Sequence, residues 1–62
     1  MTWNEVVIAL DEGKSIRMGY WPEGVYVTKE NGVMTYHSPD GDLWDWVPSL
    51  SEKINDNWEV IS

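Results

Sequence analysis

Tryptophan fills five of the 62 positions, and three of the five, Trp44, Trp46 and Trp58, lie in the last third of the chain. A domain this short buries only about 60% of the surface that its unfolded chain exposes. It has little room to enclose five indoles, each large and each carrying an N–H that needs a partner. The expectation is that Trp3 and Trp58 serve the core, while part of the remaining indole surface lies in a subunit interface or a ligand pocket. The chain has no cysteine and a single histidine, His37. Disulfides and thiolate metal sites are therefore excluded as staples. An aromatic-rich core and association with further copies are the routes left to stability, and a homo-oligomer is expected.

The formal net charge is −7, from eleven carboxylates and four basic residues. Such a chain cannot replace counterions along a phosphate backbone, so nucleic acid is not an expected partner. The charge fits solubility, or an acidic decoy directed at a basic protein. The carboxylates are spread along the chain rather than blocked together. No apolar run approaches the ~20 residues that span a membrane. The N-terminal residues do not pair a basic segment with an apolar stretch, as a signal peptide would. A single domain over residues 1–62, cytoplasmic and without membrane contact, is expected.

Hydrophobic period places the elements. Thr2 and Glu5 have capping-box spacing, and Trp3, Val6, Val7 and Leu10 form one helical stripe. Gly13 suits a left-handed stop. The spacing predicts an amphipathic helix over 3–12. Residues 14–20 alternate, with Ile16 and Met18 on one face and Ser15 and Arg17 on the other. A turn at 22–24 leads to a β-branched strand over 25–29. Asn31-Gly32 is a hairpin signal, returning as a strand over 33–37. A second turn at 38–41 precedes an extended segment over 43–47. A short helical turn within 48–55, opened by Ser49 or Ser51, and a last strand over 58–61 complete the chain. The fold class is α+β: an N-terminal helix on an antiparallel sheet of four or five strands.

Catalysis needs convergent reactive groups, and these residues do not supply them. There is no cysteine nucleophile, no serine–histidine–aspartate order and no glycine-rich phosphate loop. No enzyme activity and no cofactor is expected. Asp40, Asp42 and Asp45 surround Gly41, but they lack the full ligand set of a calcium loop and its closing glutamate, so no metal is assigned. Binding is better supported. Tyr20, Trp21, Tyr36, Trp44 and Trp46 offer ring faces to a planar base, at roughly 1–3 kcal/mol per stacked base. Arg17, four residues before Trp21, has the planar fork that suits a phosphate, and a surface ion pair would use it equally well. Asp45 suits ligand hydroxyls or a ligand amine, although it also reads as part of a solvated strand face. His37, the single histidine, joins the candidates.

The order of these residues carries a resemblance. Trp3, Val6, Ala9 and Leu10 on the first helix precede Gly13-Lys14-Ser15-Ile16-Arg17 and then Trp21. Trp46, Pro48 and Ser49 follow much later, and Trp58-Glu59-Val60 closes the pattern. This resembles the small phage domain family that includes the Thoeris anti-defence sponge proteins, over roughly residues 3–21 and 44–60. Asn57 stands where the family usually has aspartate, and the central segment is shorter than in typical members. The resemblance implies a homo-oligomer with pockets near subunit boundaries. It also implies a bound immune signal derived from ADP-ribose, either a cyclic form or a histidine conjugate, sequestered without cleavage in the host cytoplasm. Arg17 would then hold phosphate, Trp21 and Trp46 would wall the base, and Asp45 and Ser49 would bond hydroxyls. The alternative is a small acidic inhibitor that binds a host protein.

Overall fold

The computed structural model describes residues 1–61. It contains helix α1 (Trp3–Asp11), strands β1 (Ile16–Met18), β2 (Tyr26–Glu30), β3 (Val33–His37) and β4 (Leu43–Asp45), helix α2 (Leu50–Ile54) and strand β5 (Trp58–Val60). The strands form one sheet in the order β4-β3-β2-β1-β5, and every neighbouring pair is antiparallel. This is the expected α+β fold, with five strands. The last strand in sequence sits beside the first, so both ends of the chain meet at one side of the sheet.

The ends of α1 follow from its sequence. The Thr2 hydroxyl accepts from the Glu5 N–H at 3.3 Å, and the Thr2 N–H donates to the Glu5 carboxylate at 2.8 Å. At the other end Gly13 takes φ +84. That turn lets the Lys14 N–H reach the Ala9 carbonyl at 3.0 Å and the Gly13 N–H reach Leu10 at 3.1 Å, a Schellman closure of the last carbonyls. Asp11 opposes the helix dipole at this end, and it pairs with Lys29 of β2.

Asn31 and Gly32 both have positive φ, 52° and 80°, as a twist-matched two-residue hairpin requires. The hairpin sets the register Glu30↔Val33 through Tyr26↔His37. Strand parity then divides the side chains. Ile16, Met18, Val27, Met34, Tyr36, Trp44, Trp58 and Val60 share the face covered by α1. Arg17, Tyr26, Thr28, Thr35, His37, Asp45 and Glu59 share the open face.

The core lies between α1 and the sheet. Val6, Ala9 and Leu10 meet Ile16, Met18, Val27 and Trp58, and Trp3, Trp21, Met34, Tyr36 and Trp46 pack around them. β3 has the expected bounds and β2 is shifted by one residue, whereas β1, β4 and β5 are shorter than the sequence pattern suggests. β1 ends at Met18 because a turn follows, closed by the Trp21 N–H on the Met18 carbonyl at 3.1 Å. The segment after Asp45 stays extended, and the Trp46 N–H still reaches Met34 on β3 at 2.9 Å.

Two stability predictions follow from this arrangement. Leu10 is buried among core neighbours, so Leu10→Ala should cost about 2–5 kcal/mol, read as a lower midpoint in urea. The Thr2 N–H, and then the Thr2 side chain, hold the Glu5 carboxyl below its ordinary pKa. A depressed carboxyl stabilises the fold above its unfolded pKa, and that contribution disappears as pH falls through the folded value. Glu5→Gln keeps the cap geometry. Its urea midpoint should fall less between neutral and acid pH than the parent's, and equal acid slopes would show that Glu5 contributes nothing.

Candidate functional site

The five tryptophans and Tyr36 form one connected array on the helix side of the sheet. Trp58 is its buried centre, 3% exposed. Its indole N–H donates to the Glu52 carbonyl at 3.1 Å, which satisfies the donor and ties α2 to the core. Trp3, Trp21 and Trp46 surround it with ring centroids at 5.7, 5.7 and 5.9 Å. The Trp21 and Trp46 rings meet Trp58 edge-on, at 85° and 81°, an arrangement that sets ring edges against ring faces. Tyr36 joins through Trp21 at 5.8 Å and stacks on Trp44 at 4.8 Å and 20°.

Local sequence explains the order of burial. Tyr36 and Trp44 are register partners on β3 and β4, so their rings meet across the strands. Trp44 and Trp46 lie two apart in extended chain and therefore point the same way. Trp46 is carried inward by its bond to Met34, whereas Trp44 sits on the edge strand and stays 50% exposed. The array thus runs from a sealed centre at Trp58 to an open ring at Trp44.

Of the residues singled out in the sequence, Trp21, Tyr36, Trp44 and Trp46 are brought together here. Arg17, His37 and Asp45 are on the opposite face of the sheet. Asp45 separates two tryptophans in sequence and, by strand parity, points away from both. Tyr20 is exposed in the turn after β1. Ser49 is the N-cap of α2, its hydroxyl accepting from the Glu52 N–H at 3.3 Å while the Glu52 carboxylate accepts from the Ser49 N–H at 2.8 Å.

Arg17 is committed within the fold. Its guanidinium donates to the Trp21 carbonyl and approaches the Glu59 carboxylate at 3.8 Å. Its Nε is buried without a hydrogen-bond partner. The residue therefore holds the turn that presents Trp21. On the same face His37 stacks flat on Tyr26, with centroids 4.3 Å apart, and its Nε2 shares a 2.8 Å hydrogen bond with the Thr28 hydroxyl. Tyr26 and Thr28 were not among the candidates from sequence. The Asn31-Gly32 hairpin carries the missing signal, because a two-residue turn there places residue 26 opposite 37 and residue 28 diagonal to it.

A cavity of about 150 Å³ lies apart from the array, between α1 and the β2–β3 hairpin, lined by Val7, Leu10, Lys29, Gly32 and Met34. It contains none of the candidate residues and is smaller than the ~300–1,000 Å³ typical of ligand pockets. Among the described residues, no three of His, Cys, Asp and Glu gather as metal ligands would. No family model matches the chain, and the comparison with curated proteins gives no match.

The place of Arg17 yields a prediction. Arg17→Ala should lower unfolding free energy by about 1.5–3 kcal/mol, the range for hydrogen bonds involving a charged group, and should alter the near-ultraviolet dichroism of the tryptophans. Arg17→Lys should recover little, since an ammonium lacks the fork that reaches two acceptors. Unchanged urea midpoints and spectra in both variants would show that the guanidinium does not hold the turn.

Proposed function

We propose that this protein is a binding protein for an ADP-ribose-derived signalling nucleotide, which it sequesters without converting it, acting in the cytoplasm of a phage-infected cell. The observation that carries the reading is the half-exposed Trp44 ring. It is stacked from behind by Tyr36 and continuous through Trp21 with the packed tryptophans of the core. A base laid on Trp44 extends an ordered stack and needs little reorganisation. The resemblance of the chain's two ends to the Thoeris anti-defence sponge proteins supports the same reading, and sequestration asks for no reactive groups.

A nucleotide also needs donors for its phosphates. Within one chain the Trp44 ring and the polar row of Arg17 and His37 face opposite ways. A homo-oligomer removes that obstacle, because the aromatic edge of one copy can face donors of another. The distant carboxylates are screened beyond about 8 Å at physiological salt, so local donors can hold a diphosphate on an acidic protein. The net charge of −7 favours a second reading, an inhibitor that docks its acidic surface on a basic host protein.

Thermal denaturation with a panel of ADP-ribose-derived signals separates the two. A nucleotide that binds the folded state raises the melting temperature by mass action, and it should be recovered intact after denaturation. Trp44→Ala should weaken its binding about tenfold or more, given ~1–3 kcal/mol per stacked base, with the parent fold retained. No shift with any compound, together with salt-sensitive capture of a host protein, would replace the sponge with the inhibitor. Recovery of an altered nucleotide would mean catalysis.

A further inference from the structure

The cavity beside the β2–β3 hairpin is built from both layers of the fold. Lys29 and Met34 are register partners on β2 and β3. Lys29 lies two residues after the buried Val27, so strand parity turns this pair toward α1. Val7 and Leu10 of α1 form the opposite wall, Gly32 stands at the hairpin end, and the space between them is about 150 Å³. Val7 marks the gap. It lies on the same helical stripe as Val6, yet it is 36% exposed where Val6 is 0% exposed. A Cβ at Gly32 would meet nothing within 4 Å, so the hairpin end does not close the space. Asp11 follows Val7 by one turn on the same side of α1. Its carboxylate pairs with the Lys29 ammonium at the rim of the cavity.

Walls and rim specify different parts of an occupant. Val7, Leu10, Met34 and the methylene stem of Lys29 present apolar surface. An apolar cavity of ~150 Å³ holds a molecule the size of benzene. The rim is an ion pair of zero net charge. A carboxylate placed there meets Asp11, an ammonium meets Lys29, and neither recovers the hydration it gives up. A hydroxyl meets no such conflict. The ammonium has further donors and the carboxylate a second oxygen. After bonding each other, the ammonium can still donate to one hydroxyl and the carboxylate accept from it. We infer that this cavity is a binding site for a small uncharged aromatic molecule with a hydroxyl group, of the phenol class. Its lining, Val7, Leu10, Lys29, Gly32 and Met34, is enough to hold one ring. It offers no groove to seat the backbone on which a partner protein would carry such a ring. The site is separate from the tryptophan array. It stands on the cavity and on the Asp11–Lys29 pair, and not on nucleotide binding.

Titration with phenol, followed by the methyl resonances of Val7, Leu10 and Met34, tests it. Phenol should saturate one site and move these methyls together. Benzene should bind there about tenfold more weakly, as loss of one hydrogen bond to a charged group predicts. Benzoate and benzylammonium should each fall about tenfold or more below phenol, since each sets a charge against its like at the rim. Val7→Phe brings a ring into the cavity from its half-exposed wall. It should abolish the saturable shifts while the far-ultraviolet dichroism stays that of the parent. Lys29→Met keeps the apolar stem and removes the ammonium. Benzene should bind this variant as it binds the parent, and phenol should lose its advantage over benzene. Shifts confined to Tyr36 and Trp44, or no saturable shift at all, would overturn the inference. So would a phenol site that survives Val7→Phe, benzoate that binds as well as phenol, or a phenol advantage that persists in Lys29→Met. The nucleotide panel reads a different quantity. A protein that binds phenol at these methyls and no nucleotide keeps this site and loses the sponge reading, and the opposite pair of results does the reverse.

Discussion

The fold depends on where one indole is placed. Trp58 begins the last strand, and that strand is only three residues long, too short to hold its place by ladder hydrogen bonds alone. The buried ring supplies what the ladder lacks. It packs among Val6, Ala9 and Leu10 of α1 and beside Ile16 and Met18 of β1. It touches Trp3, Trp21 and Trp46 and satisfies its N–H on the carbonyl of Glu52. One side chain thus joins both helices, the edge of the sheet and the segments that follow β1 and β4. In a chain without disulfides, long-range connections of this kind have to come from large side chains, and tryptophan supplies the most contact area per residue.

Local signals in the sequence translated directly into structure wherever their cause was local. Thr2 with Glu5 is a cap because the hydroxyl and carboxylate reach neighbouring N–H groups within one turn. Gly13 and Asn31-Gly32 carry positive φ because their backbones tolerate it. The same capping logic was present at Ser49 and Glu52, three residues apart. The short helical turn expected to open at Ser49 or Ser51 opens at Ser49, and the cap engages the hydroxyl that was also matched to a ligand. Strand ends were less legible. Nothing in Gly19-Tyr20 marks β1 as ending at Met18, since the stop is made by the turn bond from Trp21 and by the Arg17 side chain behind it.

Residue type marks the candidate site in the sequence, and the fold sorts residues by parity. Trp44, Asp45 and Trp46 read in sequence as one polar group between two stacking groups. In an extended segment adjacent side chains leave opposite faces, so Asp45 is separated from both rings by the backbone itself. Arg17 is separated from the array in the same way, by its alternation with Ile16 and Met18. The period-two rule was enough to foresee both outcomes. Packing neighbours such as Tyr26 beneath His37 required the register, which the hairpin turn determines. What no local rule conveys is that Trp3, Trp21 and Trp46 converge on Trp58, because those contacts join segments far apart in sequence.

That convergence gives core and surface a common origin. A ligand-binding ring on a flexible loop has to be ordered when the ligand arrives, and the cost subtracts from affinity. Trp44 is placed differently. Its orientation is set by Tyr36 on one side, Tyr36 is set by Trp21, and Trp21 rests on Trp58. Trp58 is buried, Trp21 and Tyr36 are half-buried and Trp44 is exposed, yet each is held by its predecessor. A chain too small to have a core and a separate site can still present a rigid exposed ring, provided the ring is the outer end of the core. The same economy explains why α2 is left bare. All five tryptophans and Tyr36 are spent on that array, and Leu50 and Ile54 of α2 stay exposed.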